Sequence, residues 1–286
     1  MIPLMPSRWI DLLTQRWVRA TGRRVDLLGE PWLAGPVGDE HEIGDAWLAG
    51  EADRLGAALG PAGPAGLLPT MSALDGPGFA AEDLHPAIRD FYEHTSSWTL
   101  EVSMTWSSLA WPFGWLIGAV FARRLQQLAL PLRRVDTAAG MTSTVTGLFD
   151  GQRQVGALWL RRLVATGTVV YSGLYDTVQP PGAARAHLRV TFPLPRGRLV
   201  VLLAADVTTA GGLRLSSTAG AWGAPGAYLV VENHRGVWAR RVPLDELFSL
   251  YVDGNAVLRT DHHLRLRQLP VFHLHYRLTP RPLQAP

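Results

Sequence analysis

The pattern of apolar and polar positions changes in character near residue 142. From there on, short runs of Val, Leu, Thr and Tyr alternate with polar residues, and turn signals such as Arg196-Gly197 recur about every eight to twelve residues. The pattern predicts roughly nine or ten antiparallel strands joined by hairpins. Because closure removes exposed strand edges, we expect a lipocalin-like β-barrel with room for one small ligand.

Before residue 142 the apolar positions follow helical spacing in three places. Residues 7–21 predict a helix that stops at Gly22, and residues 42–59 predict a second helix. The stretch "HPAIRDFYEHT", 85–95, predicts a third, and Ile88, Phe91 and Tyr92 should seat it against the barrel. "TLEVSMTW" then alternates like a strand.

The fold class expected from these patterns is α+β and mainly β, with a helical N-terminal part packed on the antiparallel barrel. "GPAGPAG" at 60–66 breaks the helical pattern and is the best linker candidate. We therefore expect a helical segment at 1–66, a helical and mixed segment at 67–141 that packs on the barrel, and the barrel itself at 142–286.

The stretch 109–122 is the most hydrophobic in the chain. It is shorter than the roughly 20 residues of a membrane span, and it contains Pro112 and Gly114. A buried helix is the first expectation. An interfacial helix on a membrane surface and a lid over a substrate entry are the alternatives.

Composition removes several classes of function. Every strong base is arginine, as in proteins from GC-rich genomes such as those of actinobacteria, and the arginines occur in scattered pairs. Nucleic-acid binding would require them to cluster on one face. The absence of cysteine excludes disulfides and thiolate chemistry. The N-terminus does not resemble a signal peptide, so we expect a cytoplasmic protein.

No sequence motif names a reaction. A G-x-S-x-G elbow, a phosphate-binding loop, a dinucleotide fingerprint and a His-Glu-x-x-His zinc motif are all missing from the sequence. The carboxylates around His41, in residues 38–45, lack the spacing of an EF-hand loop. We therefore expect chemistry, if there is any, to need no cofactor and no metal.

Two tyrosines are the first candidates for catalysis. Strand alternation places Tyr171 and Tyr175 on one face, with Gly173 leaving room between the two phenols. His262 should face inward among leucines. Satisfied core residues are the alternative for all three.

Further candidates carry weaker patterns. Asp90 and His94 lie four residues apart on the third helix and could form an acid/base pair. His273 and His275 share a strand face and could bind zinc if another strand supplied a third ligand, although we expect that face to be exterior. The expected substrate-binding aromatic residues are Trp98, Trp159, Trp222, Tyr228 and Tyr276. Of these, Trp222 and Tyr228 lie in a Gly-rich segment that we expect to cover the barrel mouth.

Several short stretches carry a resemblance to a known family. They are "HPAIRDFYEHT", "LQQLALPL" at 125–132, "GMTSTV" at 140–145, "YSGLY" at 171–175 and "HYRL" at 275–278. In these the chain resembles the C-terminal soluble region of bacterial YndJ-like proteins, over about two thirds of its length. The resemblance implies that the helical front and the β-rich back recur as one unit, and it implies no reaction.

Two functions fit these expectations. The first is a cofactor-independent cyclase or pericyclase that folds an apolar, polyketide-type substrate inside the barrel, by analogy with barrel cyclases of polyketide pathways. Such catalysis requires orientation and a hydrogen-bond donor to a carbonyl that gains charge. The alternative is a non-catalytic lipid or polyketide carrier that uses the same cavity. A membrane contact through 109–122 is a third, less favoured, reading.

Overall fold

The computed structural model of this chain describes residues 8–38, 44–60, 65–106, 141–167, 169–218 and 220–281. Within these ranges the helices are α1 (Arg8–Thr21), α2 (Trp47–Leu55) and α3 (Pro86–Glu93). The strands are β1 (Arg23–Val25), β2 (Ala58–Leu59), β3 (Trp98–Trp106), β4 (Met141–Asp150), β5 (Arg153–Leu163), β6 (Val169–Val178), β7 (His187–Leu194), β8 (Gly197–Thr208), β9 (Gly212–Ser216), β10 (Gly226–Asn233), β11 (Gly236–Val242), β12 (Leu244–Val252), β13 (Leu258–Leu266) and β14 (Leu269–Pro280).

All of these strands belong to one sheet, and their pairings are antiparallel. The main path runs β2-β4-β5-β6-β7-β8-β9-β12-β13-β14-β3. The long strand β8 also pairs with β10 through its first half, and β10 continues to β11 and β1. The prediction of a mainly β, antiparallel fold is confirmed.

The sheet curls so that distant strands face each other. Arg161 of β5 lies over the ring of Tyr276 of β14, with 5.4 Å from the guanidinium carbon to the ring centroid. In the described residues the pairing still ends at β2 on one side and at β3 on the other. The sheet is therefore not closed there, and the lipocalin-like barrel is not confirmed. We call the concave side that carries Arg161 and Tyr276 the inner face, and the opposite side the outer face.

Helix α3 packs against the inner face. Its buried residues are Ile88, Phe91 and Tyr92, as the apolar spacing predicts. The Phe91 ring contacts Trp98 of β3 and Trp159 of β5, with centroid separations of 6.0 and 6.4 Å. This one side chain therefore connects strands near both ends of the path.

The outer face is covered by α2 and by a short helical turn at Pro31–Leu33. Trp47 of α2 donates its indole N–H to Ser172 Oγ of β6 at 3.0 Å. Arg189 of β7 donates to the carbonyl of Trp32 at 3.2 Å, and Arg198 of β8 donates to that of Leu33 at 3.1 Å. Two buried arginines thus hold this turn against the sheet.

The helix bounds agree with the sequence pattern in part. The first helix ends at Thr21, as predicted, and it includes Arg8, the first described residue. The second is shorter than 42–59. It runs from Trp47 to Leu55 and is followed by Gly56, whose backbone is left-handed with φ 62°. The hydrophobic stretch 109–122 lies outside the described residues, as do most of 38–45 and of the linker 60–66.

The division into 1–66, 67–141 and 142–286 stays a prediction, although strands from all three segments enter the one sheet.

Candidate functional site

Three neighbouring strands build the centre of the inner face. In the strand register, Arg161 of β5 lies opposite Ser143 of β4 and opposite Tyr171 of β6. Trp159 precedes Arg161 by two residues and so shares its face. Together with Tyr175 and Tyr276, the residues Trp159, Arg161 and Tyr171 form a group that we call the inner cluster.

The two predicted tyrosines meet inside this cluster. The hydroxyl groups of Tyr171 and Tyr175 are hydrogen-bonded to each other. Both rings lie edge-on to Trp159, with centroid separations of 5.5 and 5.7 Å. Burial raises the pKa of both phenols well above the usual value of 10.0. Both hydroxyls therefore keep their protons at neutral pH, and the one that does not donate within the pair can donate to a ligand.

Arg161 is the charged member of the inner cluster and is only 6% exposed. Its guanidinium carbon lies 5.6 Å from the ring centroid of Trp159, on the same strand. It also lies 5.4 Å from the ring centroid of Tyr276, on the distant strand β14. One terminal nitrogen lies 4.0 Å from the sulfur of Met141. The Nε atom is buried, and no hydrogen-bond partner is found for it among the described residues.

The third predicted catalytic residue, His262 of β13, also faces inward. Its ring stacks on Phe248 of β12 at 3.8 Å and lies edge-on to Phe272 at 5.4 Å. Its Nε2 atom lies 3.2 Å from Glu246 Oε2, yet the two atoms are not aligned for a hydrogen bond. A small movement of either side chain would convert this close contact into a hydrogen bond.

The carboxylate of Glu246 connects this pair to the inner cluster. Together with Tyr276, it adds to the effect of burial in raising the pKa of Tyr171, while Arg161 and the Tyr175 hydroxyl act in the opposite direction. Groups from β5, β6, β12 and β14 therefore share one electrostatic environment.

The predicted substrate-binding aromatic residues divide between two places. Trp98, Trp159 and Tyr276 lie on the inner face. Trp222 and Tyr228 instead pack on Trp32 at the outer face, with centroid separations of 5.6 and 4.8 Å. The expectation that their segment covers the mouth of the sheet is wrong. Tyr228 belongs to β10, where alternation turns its side chain away from the inner face.

Hydrogen bonds fix Trp222 and Tyr228 in that outer position. The Trp222 indole donates to Glu30 at 2.6 Å, and the Tyr228 hydroxyl donates to the carbonyl of Ala224 at 2.6 Å. A role of these two residues in binding the same ligand as Tyr171 stays a prediction, and their position separates them from the tyrosine pair.

Asp90 and His94, the predicted acid/base pair, lie within hydrogen-bond distance of each other. His94 Nδ1 and Asp90 Oδ1 lie 2.9 Å apart, and both side chains are about half exposed. The other oxygen of Asp90 accepts the indole N–H of Trp98 at 3.0 Å. The carboxylate therefore connects the end of α3 to the start of β3, a structural role that the sequence did not suggest.

A second cluster of histidines lies on the outer face of β13 and β14. Asp261 Oδ1 lies 2.9 Å from His273 Nε2 and 2.8 Å from His275 Nδ1. The ring of His263 stacks on His273 at 4.2 Å. This face is exterior, as expected from the sequence. In the described parts of the chain, no group of three or more acidic or histidine side chains is placed to hold a metal ion.

Sequence reasoning missed Arg161 and Glu246. The available signal was alternation, because Arg161 shares the parity of Trp159, and Glu246 shares that of Phe248. Alternation shows which residues share a face of the sheet, but it does not show which of the two faces is concave.

The chain is similar to a known bacterial membrane protein over most of its length. The chain is 26% identical over 222 residues to an uncharacterized membrane protein, YndJ, of Bacillus subtilis (strain 168). The match covers 75% of this chain and 38% of that protein, so the chain spans well under half of its length. This supports the similarity to YndJ, while the assignment to its C-terminal soluble region stays a prediction.

No family model matches the chain, and no solved structure matches it. Where the structure describes the chain, no helix is both long enough and apolar enough to cross a membrane.

Proposed function

We propose that the protein binds an apolar small molecule on its inner face, with the polar atoms of the ligand meeting the inner cluster. The observation that carries this proposal is the pairing of the Tyr171 and Tyr175 hydroxyls beside the buried guanidinium of Arg161. Protonated phenols and a guanidinium are all donors, so the cluster suits a ligand that carries an oxygen acceptor. The lipocalin-like enclosure of the ligand is part of this proposal.

The partial exposure of the inward-facing aromatic residues supports access of a ligand to the inner face. Trp159, Tyr171, Phe248 and Tyr276 face the concave side of the sheet but keep partial contact with solvent. Ligand sites are typically concave and apolar, with a few polar groups that fix the orientation of the ligand. An aromatic wall with a guanidinium and one available phenol proton at its end has this composition.

A second candidate function is the cofactor-independent cyclisation of a polyketide-type substrate. The Glu246–His262 contact favours it, because a histidine beside a carboxylate can accept a proton while a phenol donates to a carbonyl oxygen. Each such donor to a developing oxyanion is worth about 2.7–4 kcal/mol of barrier in well-studied enzymes. Cyclisation of this kind is an isomerisation, so the substrate and the product have the same mass.

Binding is tested with the methyl ester of cis-parinaric acid, a fluorescent polyene whose emission rises in an apolar site. We expect saturable binding, and a diazirine-bearing fatty methyl ester should label inner-face peptides that contain Trp159 or Tyr276 after irradiation. Labelling confined to the outer face around Trp222, or no saturable binding, would refute the proposal.

Catalysis is tested by incubating the protein with linear polyene thioesters and searching for products of unchanged mass and altered absorbance. The Tyr171→Phe and His262→Asn variants should slow their formation. Binding without any isomeric product would leave the protein as a carrier.

A further inference from the structure

We infer that Arg161 is the recognition residue for a carboxylate, so that the ligand is an apolar carboxylic acid. The inference rests on the proposed function, because it names the chemical class of the ligand bound at the inner cluster. It begins from a comparison among the buried arginines of the described residues.

Three arginines within strands of this sheet are less than 10% exposed, and two of them have acidic partners. Arg189 is paired with Asp176, and Arg198 is paired with Glu232. Arg161 is equally buried, yet no carboxylate of the described residues lies within 4.0 Å of its guanidinium. A buried charge is costly unless it is paired, so this position favours an anion that the described protein groups do not provide.

Glu246 does not fill this role. Its carboxylate is close enough to affect the pKa of Tyr171, but its near contact is His262 at 3.2 Å, not Arg161. The two charges thus contribute to one environment without forming an ion pair.

The contacts of Arg161 leave N–H groups of its guanidinium available. The guanidinium carbon lies over the rings of Trp159 and Tyr276, which holds the side chain by cation–π contact, and one terminal nitrogen lies 4.0 Å from the sulfur of Met141, a weak acceptor. The Nε–H group is buried without a partner among the described residues. The planar fork of arginine binds a carboxylate through two parallel hydrogen bonds, a geometry that lysine does not offer.

The tyrosine pair completes the acceptor site. Tyr171 lies directly across from Arg161 in the strand register, and its hydroxyl is bonded to that of Tyr175. In that pair one hydroxyl donates to the other, which leaves the proton of the second hydroxyl for a ligand oxygen. A carboxylate here would accept from a guanidinium and a phenol, while its apolar chain lay along Trp159, Phe248 and Tyr276.

The test compares cis-parinaric acid with its methyl ester at pH 8, where the acid is ionised. We expect wild-type protein to bind the acid about tenfold more tightly than the ester or better. Arg161→Gln should lose this preference and still bind the ester. Arg161→Met, which keeps the volume and removes the charge, should behave in the same way and replaces Arg161→Gln if circular dichroism shows that Gln disturbs the fold.

Arg162→Gln is the matched control, because Arg162 is the next residue of β5, lies partly exposed and pairs with Asp45 at 3.3 Å. It should keep the preference for the acid. Equal affinity of wild-type protein for acid and ester, or a preference that survives in both Arg161 variants, would overturn the inference and leave the proposed function intact. Failure of both ligands to bind would overturn the proposed function and this inference with it.

Discussion

Arg189 of β7 and Asp176 of β6 lie directly opposite each other and share a two-pronged ion pair on the outer face. The Nε to Oδ1 distance is 2.7 Å, and the remaining nitrogen donates to the carbonyls of Pro31, Trp32 and Ala34. Burial lowers the pKa of Arg189, but Asp176 outweighs that effect and the net shift is upward. Arg189 thus differs from the equally buried Arg161, for which the described residues supply no carboxylate.

Replacing Arg189 with methionine should destabilise the protein strongly. Removing one partner of a buried ion pair leaves the other charge uncompensated, which typically costs about 3–5 kcal/mol. Urea unfolding followed by circular dichroism measures the loss. Arg153→Met is the control, because Arg153 and Asp150 form an exposed pair that contributes about 0–1 kcal/mol. Similar losses in the two variants would contradict this assignment.

The tyrosine pair should behave as one unit in a double-mutant cycle. Tyr171→Phe or Tyr175→Phe alone leaves a buried hydroxyl without its partner and should cost about 1–3 kcal/mol. The double variant should cost less than the sum of the two single losses, because it removes both groups. Additive losses in denaturant unfolding would show that the hydroxyls are independent.

Stability should fall as the pH drops through the range below 6.5, because of His187. Burial, aided by the charge of Arg185, lowers the pKa of His187 from its usual 6.5. Below pH 6.5 the unfolded chain therefore binds a proton that the folded chain does not, which favours unfolding. His187→Gln should flatten the pH dependence of the unfolding free energy as the pH falls below 6.5. The exposed His234 offers the control, and His234→Gln should leave the slope unchanged.

Asp261 should affect the free energy of unfolding at a lower pH than His187 does. Although its partial burial would raise its pKa, hydrogen bonds with His275, His273 and Tyr251 lower it below 3.8. The stabilisation is present above pH 3.8 and disappears as the pH falls through the lowered value. Asp261→Asn should remove this acid-dependent loss, which urea unfolding at a series of pH values around and below 3.8 measures.

Gly66 should not tolerate a side chain. A Cβ atom there would lie 2.2 Å from the carbonyl oxygen of Glu93 and 2.5 Å from that of Tyr92, at the end of α3. Because backbone atoms cannot move aside cheaply, Gly66→Ala should cost about 1–3 kcal/mol. Gly254→Ala is the control, since a Cβ at Gly254 meets open space. Equal melting temperatures would contradict the close approach of this segment to α3.

The alternation of apolar and polar residues predicted much of the sheet. It also predicted which candidate residues share a face of the sheet. Tyr171 and Tyr175 share a face, and His262 faces inward, because period-two spacing depends only on local geometry. The stacking of Arg161 on Tyr276 was not predictable in this way. It depends on how far the sheet curls, and that is decided by contacts between strands far apart in the chain.

Trp222 illustrates the same limit. Its Gly-rich neighbourhood predicted a loop over the mouth, whereas contact with Trp32 and Glu30, almost two hundred residues earlier, places it on the outer face. In the sequence, Arg161 and Arg162 also appeared only as one of the scattered pairs of arginines. Adjacent strand residues point to opposite faces, so one of the two was always going to be inside if β5 lined the interior.

The pairing of β14 with β3 has a consequence for synthesis on the ribosome. All strands from β4 to β13 are made between these two partners. The nascent chain therefore carries β3 without its strand partner until β14 emerges, and unpaired strand edges are sites for pairing with another chain. Elongation speed and chaperone access during that interval are therefore expected to affect the yield of the protein, in addition to the stability of the finished fold.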